Sequence, residues 1–566
     1  MSIYIGIDLG TTNSTVSVIR IDSPEESPKT HMHTCGIYQY GPHIMGGLKE
    51  YTCLPSALFF DIENHIVYTG EYAKAMYASG DYPLQTVRSI KTRMGLDSRL
   101  EIPGRNNTDK HETFTMPQCA SFFIRTIVDS LKKQYPDLGD ELTEHAVVTV
   151  PAAFNDDERV ATRNAVLLGG FRDCTILDEP TAALLAYLNT DHDDFDDYDE
   201  IEEDTYKLVY DIGGGTLDVA IAKISLDEAG NYSVDIVSLS DRMNLGGDNF
   251  DRMLGAYFLQ DFEATNNPIE KYSMEDQGKI IARIVSNAEN YKIELNKRIL
   301  NAMGNPRRLK REHVSVTFEL IKNMYVDGIV LDKQNLDDIF SCYTSPAATK
   351  NGLLTPVKTA LRRAKLTPDQ ISEVILTGGM SEFYSVRETL ENFFQDVPIQ
   401  TVDDTRTAVS RGAAFYGWCL DEENEAEDES VKKINKISSK LGSNIYIKKD
   451  GKFQLLIPND MKTRNGHFDY VITDDNVAYF PLYLYSGTEP ENGEDNTDTY
   501  VQLTGRLIES RPEYKIGDTI PIEWAIDDNK VITISITGRQ DIKFSKNLTP
   551  EQVLSDIVQD YRVNEG

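Results

Sequence analysis

Two copies of one short pattern, far apart in the chain, constrain its fold more than any other feature. Each copy is an apolar strand that ends in Asp, followed by a turn rich in glycine or threonine and then an alternating strand. The copies span Ile5–Val18 and Leu208–Ile221. Because a turn has no structural need to be duplicated together with its Asp, the pair predicts two similar halves that face each other across a cleft.

The residues of these turns suit the binding of phosphate. Glycine lets the backbone approach an oxygen closely and point its N–H groups at an anion, and a threonine hydroxyl can donate to phosphate or orient water. Asp8 and Asp211 end the two strands beside the turns. Mg2+ keeps several of its waters and commonly takes one or two carboxylates. We therefore predict a nucleoside triphosphate site between the halves, with Mg2+ held by both Asp residues, mainly through water.

Charge and composition exclude other classes of partner. The 566 residues carry a formal net charge of -34, whereas nucleic acids are bound through Lys and Arg that replace counterions. An anionic membrane surface is disfavoured for the same reason, and no run approaches the ~20 apolar residues of a transmembrane helix. The 6 cysteines form no C-x-x-C pair, which is typical of reduced thiols. We expect a cytoplasmic protein with neither nucleic acid nor membrane as a partner.

The chain divides into four predicted segments. In the first segment, residues 1–420, strand-like and helical patterns alternate, as in α/β domains. An acidic stretch at 191–204 interrupts this alternation, and we predict that it is a solvated insertion. The last two segments hold short strands with turn signals and then a short helix, Pro550–Tyr561. The predicted segments are an α/β nucleotide-binding domain at 1–420, a linker with acidic and basic parts at 421–437, a β-sandwich domain at 438–545 and a short helical tail at 546–566.

The β-sandwich prediction depends on seven short runs of β-forming residues. The pair Asp450-Gly451 between two of them favours a tight hairpin, because both central residues must take positive φ. Ile532, Ile534 and Ile536 alternate and so share one face of a strand. The predicted strands are Asn444–Ile447, Phe453–Ile457, Tyr470–Thr473, Tyr479–Tyr485, Tyr500–Leu507, Ile520–Ala525 and Val531–Thr537.

Seven motifs together resemble those of the heat-shock 70-kDa (DnaK-type) chaperone family. They occur in the family's order within the first predicted domain: Ile7–Ser14, Val150–Asp156, Asp178–Ala183, Asp211–Thr216, Asn244–Asp248, Ala288–Leu295 and Thr377–Gly379. Actins and sugar kinases share the two Asp-Gly turns but lack the Glu-Pro-Thr-Ala-Ala sequence that begins at Glu179. The resemblance implies an α/β fold: a duplicated actin-like (ribonuclease H-like) ATPase domain, followed by a β-sandwich domain that binds peptides.

The resemblance also implies a role for individual residues. Lys91 would position the attacking water and offset developing charge, and Glu179 and Thr216 would complete the γ-phosphate end beside Asp8 and Asp211. Pro151 and Arg159 would relay changes from the nucleotide to the linker. The residues that would contact phosphate are Gly10, Thr11, Thr12, Asn13, Gly213, Gly214 and Gly215, and those on the ribose and adenine side are Gly246, Gly247, Glu289, Lys292, Asn296, Gly378 and Gly379.

The chain departs from the family pattern at three places. Glu382 stands where the family usually has an arginine that stacks on the base, and Arg406 stands where it usually has Asp. We interpret this as an exchange of charges in which Arg406 contacts the base. The linker has only three apolar residues, Val431, Ile434 and Ile437. This predicts either weaker coupling between the two domains or coupling in which the linker lysines contact an acidic surface. The family's long helical lid has no counterpart, so fast peptide exchange is expected.

The function implied by the resemblance is that of an ATP-dependent molecular chaperone. It would bind ATP or ADP with Mg2+, with K+ as a second candidate ion, and hydrolyse ATP to control its grip on unfolded or extended polypeptide. A J-domain cochaperone and a nucleotide-exchange factor are implied as further partners. Three alternatives remain open: a regulatory ATPase switch dedicated to one client, an actin-like filament protein, and a small-molecule kinase of the same fold.

Overall fold

The computed structural model describes most of the chain. The described residues are 2–23, 26–105, 109–189, 205–226, 231–321, 323–348, 351–421, 434–438, 440–441, 443–449, 452–473, 475–485, 500–503, 506–544, 548 and 550–565. Within these ranges no helix is both long and apolar enough to cross a bilayer. The chain is a mixed α/β protein in its larger, N-terminal part, and its described residues between 443 and 544 form strands without an α-helix.

The first lobe, residues 2–189, is built on a sheet with the order β13-β12-β1-β2-β3, in which β6 also pairs with β2. β1 and β2 are an antiparallel hairpin, and β12 pairs with β1 in parallel. The strands are β1 (Ser2–Leu9), β2 (Asn13–Ile21), β3 (Met32–Thr34), β4 (Ile37–Tyr40), β5 (Leu48–Tyr51), β6 (Leu54–Pro55), β7 (Ala57–Asp61), β8 (Ile66–Thr69), β9 (Thr86–Arg88), β10 (Arg99–Pro103), β11 (His111–Thr115), β12 (His145–Val150) and β13 (Asp173–Asp178). The helices are α1 (Pro28–His31), α2 (Glu71–Ser79), α3 (Met116–Gln134), α4 (Asp156–Leu168) and α5 (Glu179–Leu188).

The second lobe, residues 205–401, repeats this topology. Its sheet has the order β20-β19-β14-β15-β16, and here too an antiparallel hairpin, β14–β15, is flanked by a parallel strand, β19. The strands are β14 (Thr205–Ile212), β15 (Leu217–Leu226), β16 (Tyr232–Leu239), β17 (His313–Ile321), β18 (Met324–Asp332), β19 (Glu373–Thr377) and β20 (Ile399–Thr401). The helices are α6 (Gly247–Thr265), α7 (Met274–Ala302), α8 (Pro306–Leu309), α9 (Lys333–Thr344), α10 (Thr355–Ala364) and α11 (Tyr384–Phe394).

Helix α12 (Ala408–Leu420) follows the second lobe and packs on the first. Two glycines permit this close approach. A Cβ on Gly6 of β1 would lie 2.2 Å from the backbone N of Ala414, and a Cβ on Gly412 would lie 1.8 Å from the backbone O of Ala182 in α5. Side chains of α12, α5 and the two central sheets share one core, which contains Val147, Leu184, Val209 and Trp418 among others.

A short strand, β21 (Ile434–Ser438), begins in the last residues of the predicted linker and extends the second-lobe sheet. It pairs with β16 in parallel, with Ile434 opposite Tyr232 and Ile437 opposite Val234. Ile434 is buried and Ile437 packs against the core between the lobes. Two of the three apolar linker residues are therefore used to dock the linker on the second lobe, while the third, Val431, lies outside the described residues.

The β-region, residues 443–544, forms two four-stranded sheets, β23-β22-β26-β27 and β24-β29-β30-β31, and the pair β25–β28. Its strands are β22 (Ile445–Lys449), β23 (Lys452–Ile457), β24 (Asn465–Val471), β25 (Val477–Phe480), β26 (Leu482–Tyr485), β27 (Tyr500–Gln502), β28 (Arg506–Ser510), β29 (Thr519–Ile526), β30 (Ile532–Ile536) and β31 (Arg539–Phe544). Side chains of both larger sheets, such as Ile445 and Ile534, meet in one core. This arrangement agrees with a sandwich.

The segment after the β-region, residues 550–565, returns to the first lobe. It consists of α13 (Pro550–Leu554), a 3₁₀ turn at Ile557–Asp560 and β32 (Arg562–Val563), which pairs with β8 in parallel. The prediction of one helix over Pro550–Tyr561 is therefore wrong. Val558, Tyr561 and Val563 are buried in the first-lobe core, so contacts distant in sequence decide the conformation that local helical preference left open.

Two predicted strands of the β-region are each divided in the structure. The run Tyr479–Tyr485 forms β25 and β26, which pair with different strands on either side of Pro481; proline cannot donate to a ladder, so it interrupts strands. The run Tyr500–Leu507 likewise contributes to β27 and β28. The run Tyr470–Thr473 only overlaps β24, which begins earlier, at Asn465, and ends at Val471.

Other element predictions agree with the structure. Helix α4 has the predicted bounds Asp156–Leu168, and the predicted Pro180 helix is α5, which begins one residue earlier. β22 and β23 are antiparallel on either side of Asp450-Gly451. That turn, the acidic stretch at 191–204 and the linker residues 422–433 lie outside the described residues.

Candidate functional site

The two glycine turns of the repeated motif meet in the structure. Gly10–Thr12 connect β1 to β2, and Gly213–Thr216 connect β14 to β15. A Cβ on Gly214 would lie 1.6 Å from Thr12 Oγ1, and a Cβ on Gly215 would lie 2.6 Å from Thr11 Cγ2. The turns therefore lie directly opposite each other, one from each lobe, and the second turn tolerates no side chain at Gly214.

Each turn is fixed by backbone contacts of its own. A Cβ on Gly10 would lie 2.0 Å from the carbonyl oxygen of Asn13, and Ser56 Oγ donates to the carbonyl of Gly10 at 2.7 Å. In the second turn the N–H of Gly213 donates to the carbonyl of Thr216 at 3.0 Å. The Thr12 hydroxyl oxygen is buried without a hydrogen-bond partner among the described residues. An anion between the turns would provide that partner.

Lys91 and Glu179 form a buried ion pair beside the turns. Lys91 lies on a 3₁₀ turn, Ile90–Arg93, and Glu179 is the first residue of α5 after β13. Both residues are less than a tenth exposed, at 8% and 7%. The surrounding carboxylates, led by Glu179, raise the pKa of Lys91 against the effect of its burial. Lys91 is therefore a cation at neutral pH.

Three aspartates surround this pair. Burial raises the pKa of Asp8 to about 7, with Lys91 opposing and Glu179 adding to the shift. The pKa of Asp211 lies well above its usual value because of burial and the neighbouring carboxylates Glu179, Asp218 and Asp8. Burial and Glu179 also raise the pKa of Asp218 to about 7. Four acids thus surround one lysine, and the raised pKa values of Asp8, Asp211 and Asp218 express a deficit of positive charge.

A hydrated divalent cation would offset this deficit of positive charge. Within the described ranges no group of three or more His, Cys, Asp or Glu side chains is arranged to ligate a metal directly. The predicted arrangement needs only Asp8 and Asp211, acting mainly through water, and Mg2+ commonly binds in that way. Thr149 Oγ1 donates to Asp8 Oδ1 at 3.2 Å and so orients that carboxylate.

The residues predicted for the ribose and adenine side comprise glycines, which would offer their backbone to a ligand, and residues that would act through their side chains. Gly246 and Gly247 begin α6, and the N–H of Gly247 donates to the carbonyl of Gly213 at 3.1 Å. Gly378 has φ +82, and a Cβ there would lie 2.6 Å from Asp211 Oδ1. A Cβ on Gly379 would meet nothing within 4 Å. The backbone beside Gly379 is thus open to a ligand.

The charged residues predicted for this side are engaged with protein partners. Glu289 Oε1 accepts from Lys74 Nζ of the first lobe at 2.9 Å, an ion pair that bridges the lobes. Lys292 Nζ lies 2.8 Å from Asp251 Oδ1 and donates to the carbonyl of Gly247 at 3.3 Å. Neither side chain needs a nucleotide to satisfy its charge.

The two exchanged charges, Glu382 and Arg406, are neighbours. Arg406 Nη2 lies 4.0 Å from Glu382 Oε2, and both side chains are about half exposed, at 60% and 47%. Thr405 Oγ1 donates to Glu382 Oε1 at 2.7 Å, and Asn296 Nδ2 donates to the carbonyl of Glu382 at 3.0 Å. Thr405 therefore holds the Glu382 carboxylate and Asn296 its backbone, while the Arg406 guanidinium remains accessible.

Sequence reasoning missed two features of the site. Asp218 pairs with Asp211 across the β14–β15 hairpin; a second acid two residues after Thr216 on a buried strand was the available signal. The second is an ion pair between the lobes, Arg242 with Glu158, in which Glu158 also accepts from the N–H of Asn155 at 2.9 Å. The sequence carries no signal for this pair, since its partners are distant and of common types.

The β-region contacts the first lobe immediately before Glu179. Arg159 Nη2 donates to Asp178 Oδ1 at 2.7 Å, and Lys530 Nζ of the β29–β30 turn donates to Asp178 Oδ2 at 2.6 Å. Pro151 and Arg159 were predicted as a relay. The structure places Arg159 between the Phe154 carbonyl, at 3.0 Å, and Asp178.

Comparison with protein families decides the identity of the chain. The family model described as "Hsp70 protein" matches residues 38–556. The chain belongs to the Hsp70 family. The resemblance inferred from the seven motifs is thereby confirmed, and the mixed α/β structure is consistent with the Hsp70 family.

Curated relatives match this Hsp70 chain over most of its length. The "Chaperone protein DnaK" of Thermosipho africanus is 26% identical over 563 residues, which are 98% of this chain and 82% of the relative. The "Chaperone protein DnaK" of Thermotoga petrophila is 27% identical over 498 residues, 86% and 70% of the two chains. A "Chaperone protein dnaK" of Cyanophora paradoxa is 28% identical over 427 residues, 74% and 61%.

Proposed function

We propose that this Hsp70-family protein is an ATP-dependent chaperone whose two lobes are an actin-like ATPase domain. One observation carries the proposal: the glycine turns oppose each other across the cleft, beside a buried Lys91–Glu179 pair set among three further carboxylates. The names of its DnaK relatives support the chaperone activity. Residues 1–420 would be the ATPase domain, 421–437 the linker, 438–545 the peptide-binding domain and 546–566 the tail.

Hydrolysis needs placement and charge neutralisation more than covalent participation by the protein. Backbone N–H groups of Gly10–Asn13 and Gly213–Gly215 would bind the phosphates, with the hydroxyls of Thr11 and Thr12. Lys91, oriented by Glu179, would hold the attacking water and offset charge that develops on the γ-phosphate, and Thr216 would donate to the same group. Mg2+ held by Asp8 and Asp211 through water would neutralise phosphate charge; K+ could add to this, and ADP would remain after phosphate leaves.

On the base side, Gly246, Gly247, Gly378 and Gly379 would let the nucleoside approach the backbone. Glu289, Lys292 and Asn296 would shape the pocket through the contacts described above. Arg406 is about half exposed and 4.0 Å from Glu382, so its guanidinium could lie on the face of the base while the carboxylate orients it.

The β-region would bind an extended polypeptide through strand-type hydrogen bonds and an apolar pocket. Val558, Tyr561 and Val563 are buried in the first-lobe core, which supports the proposal that residues 550–565 would not cover a bound peptide. Cytoplasmic unfolded polypeptides are the proposed clients, with a J-domain cochaperone and a nucleotide-exchange factor as regulators.

The experiment is steady-state ATP hydrolysis with and without an unfolded protein, in the wild type and in Lys91→Ala. We expect slow basal hydrolysis that the unfolded protein stimulates and that Lys91→Ala abolishes. Lys49→Ala is the matched control, since Lys49 is exposed on β5. Hydrolysis that survives Lys91→Ala would refute the assigned site, and stimulation by a sugar but not by polypeptide would identify a small-molecule kinase instead.

A further inference from the structure

The tail segment, which we define as residues 556–564, is bound to the first lobe as an integral part of it. The family match ends at residue 556, so β32 lies beyond the matched range. The N–H of Arg562 donates to the carbonyl of His65, and the N–H of Asn564 to that of Val67, both at 3.0 Å. The tail segment thus adds a parallel strand to the edge of the β7–β8 sheet.

Four side chains of the tail segment, those of Val558, Tyr561, Val563 and Asn564, are buried. Val558 and Tyr561 are 0% and 1% exposed, and the Tyr561 ring centroid lies 5.4 Å from that of Phe114 and 5.1 Å from that of His65. Asn564 is buried too: its Oδ1 accepts from the N–H of Thr69 at 2.9 Å and its Nδ2 donates to Thr69 Oγ1 at 2.8 Å.

First-lobe side chains also satisfy the backbone of the turn before β32. Arg125 Nη1 donates to the carbonyls of Val558 and Tyr561, at 2.7 and 2.8 Å. Gln118 Nε2 donates to the Asp556 carboxylate at 3.0 Å. First-lobe side chains therefore satisfy the Val558 and Tyr561 carbonyls and the Asp556 carboxylate, whereas the buried Tyr561 hydroxyl has no hydrogen-bond partner among the described residues.

None of these partners is a predicted nucleotide contact. They belong to His65 and β8, to α3 and to the strand before α3. The predicted nucleotide residues lie instead on the glycine turns, the turn of Lys91, helices α5, α6 and α7, and Gly378–Gly379. A ligand shifts a conformational equilibrium only by its differential affinity for the two states. ATP or ADP in the cleft would touch none of the groups that hold the tail segment. The Lys530–Asp178 contact differs, because Asp178 directly precedes Glu179.

We propose that the tail segment is a nucleotide-independent anchor that keeps the β-region beside the first lobe throughout the ATPase cycle. Only five residues separate Phe544 of β31 from Pro550, and an extended connection of that length spans at most about 20 Å. If nucleotide exchange breaks the contact between Lys530 and Asp178, the β-region can then move only about the tail segment and does not dissociate from the first lobe. The inference rests on the proposed function only in assuming that the cleft binds ATP and ADP.

Hydrogen exchange of the full-length protein tests the anchor. We expect the amides of Arg562 and Asn564 to exchange at least about a hundredfold slower than unstructured amides, equally without nucleotide, with ADP and with ATP. Loss of their protection in ADP alone would overturn the proposal. Protection of Gly213–Gly215 by nucleotide, read in the same experiment, reports on the proposed ATP site separately.

A second measurement tests the consequence for the β-region. Fluorescence energy transfer between labels at Asp140 and Lys462, both strongly exposed, follows the distance of the β-region from the first lobe. In ADP we expect Tyr561→Ala and Asn564→Ala to lower the transfer, and Leu554→Ala, exposed at 79%, to leave it unchanged. Wild-type transfer in both tail variants, once exchange shows their tail amides to be unprotected, would refute the anchor.

Discussion

Lys530 and Asp178 form a buried ion pair between the β-region and the first lobe, with Nζ and Oδ2 2.6 Å apart. Lys530 takes φ +61, a left-handed conformation that costs a non-glycine residue free energy. Its Nζ also donates to the carbonyl of Lys440 beside the linker strand, at 2.6 Å. One ammonium group of the β-region thus joins Lys440, which follows the linker strand, to the residue that precedes Glu179.

Replacing Lys530 should weaken this interface. Lys530→Met leaves Asp178 buried with Arg159 alone, and removing one partner of a buried pair costs about 3 kcal/mol. The amides of Ile176 and Ile532 bond across the interface, to Asn529 and Asp156, and we expect their hydrogen exchange to accelerate about a hundredfold. Lys462→Met, at an exposed position, is the control. Unchanged exchange in Lys530→Met would contradict the assignment.

The same lysine predicts a pH dependence of docking. Burial lowers the pKa of Lys530 from 10.5 to about 8, against the attraction of Asp178 and with repulsion from Arg159. An undocked, solvated Lys530 would keep its usual pKa, so the docked form binds fewer protons between pH 8 and 10.5, and docking strengthens as pH rises through that window. Energy transfer between the labels at Asp140 and Lys462 should rise from pH 8 to pH 9.5 in the wild type and not in Lys530→Met. A fall in the wild type would show that the sign is wrong.

Lys91 and Glu179 should differ in their effects on stability although both serve hydrolysis. We expect Lys91→Ala and Glu179→Gln each to lower kcat at least about a hundredfold. Without nucleotide, Lys91→Ala removes the lysine that four acids surround and should lower the thermal unfolding midpoint, whereas Glu179→Gln removes one of those acids and should not. Steady-state assays and thermal melts measure both effects. Equal destabilisation by the two variants would argue against the charge deficit.

Gly214→Ala tests the opposed turns. Its Cβ would lie 1.6 Å from Thr12 Oγ1, so one turn must move away from the phosphate position. We expect ATP affinity, measured by calorimetry, to fall at least about tenfold, which corresponds to 1.4 kcal/mol. Gly278→Ala is the matched control: a Cβ there meets nothing within 4 Å, and alanine favours helix α7. Wild-type affinity in Gly214→Ala would place the phosphates elsewhere.

Arg406→Ala tests the exchange of charges at the base. Loss of a cation from the face of an aromatic ring costs about 1 kcal/mol, so ATP affinity should fall severalfold. Inorganic triphosphate, which has no base, should bind equally to wild type and variant. Unchanged ATP affinity in Arg406→Ala would exclude this residue from base contact.

Local sequence signals were sufficient to predict the secondary structure of the elements that carry the motifs. They were insufficient where contacts with distant residues determine the conformation. The two Asp-Gly turns, helix α4 and the hairpin β22–β23 follow from periodicity and turn chemistry within a few residues. The turn and strand that replace the predicted helix at Pro550–Tyr561 do not, because Val558 and Tyr561 are buried by side chains of α3 and β11. The strand Ile434–Ser438 likewise depends on an edge of the second-lobe sheet.

At the candidate site, residue types could be predicted but their pairing could not. Asp8, Lys91, Glu179 and Asp211 come together around the opposed turns. The partners Lys74 for Glu289 and Asp251 for Lys292 have no local signature, since ion pairs between distant residues leave no periodic trace in a single sequence.

Strands β21 and β32 each cover the edge of a different sheet, at β16 and β8. An uncovered edge offers a row of unpaired backbone groups on which a foreign strand can nucleate aggregation. Strand β21 precedes the β-region in the chain and β32 follows it. A protein proposed to bind aggregation-prone, unfolded clients thus protects these two sheet edges from pairing with them by using segments of its own backbone.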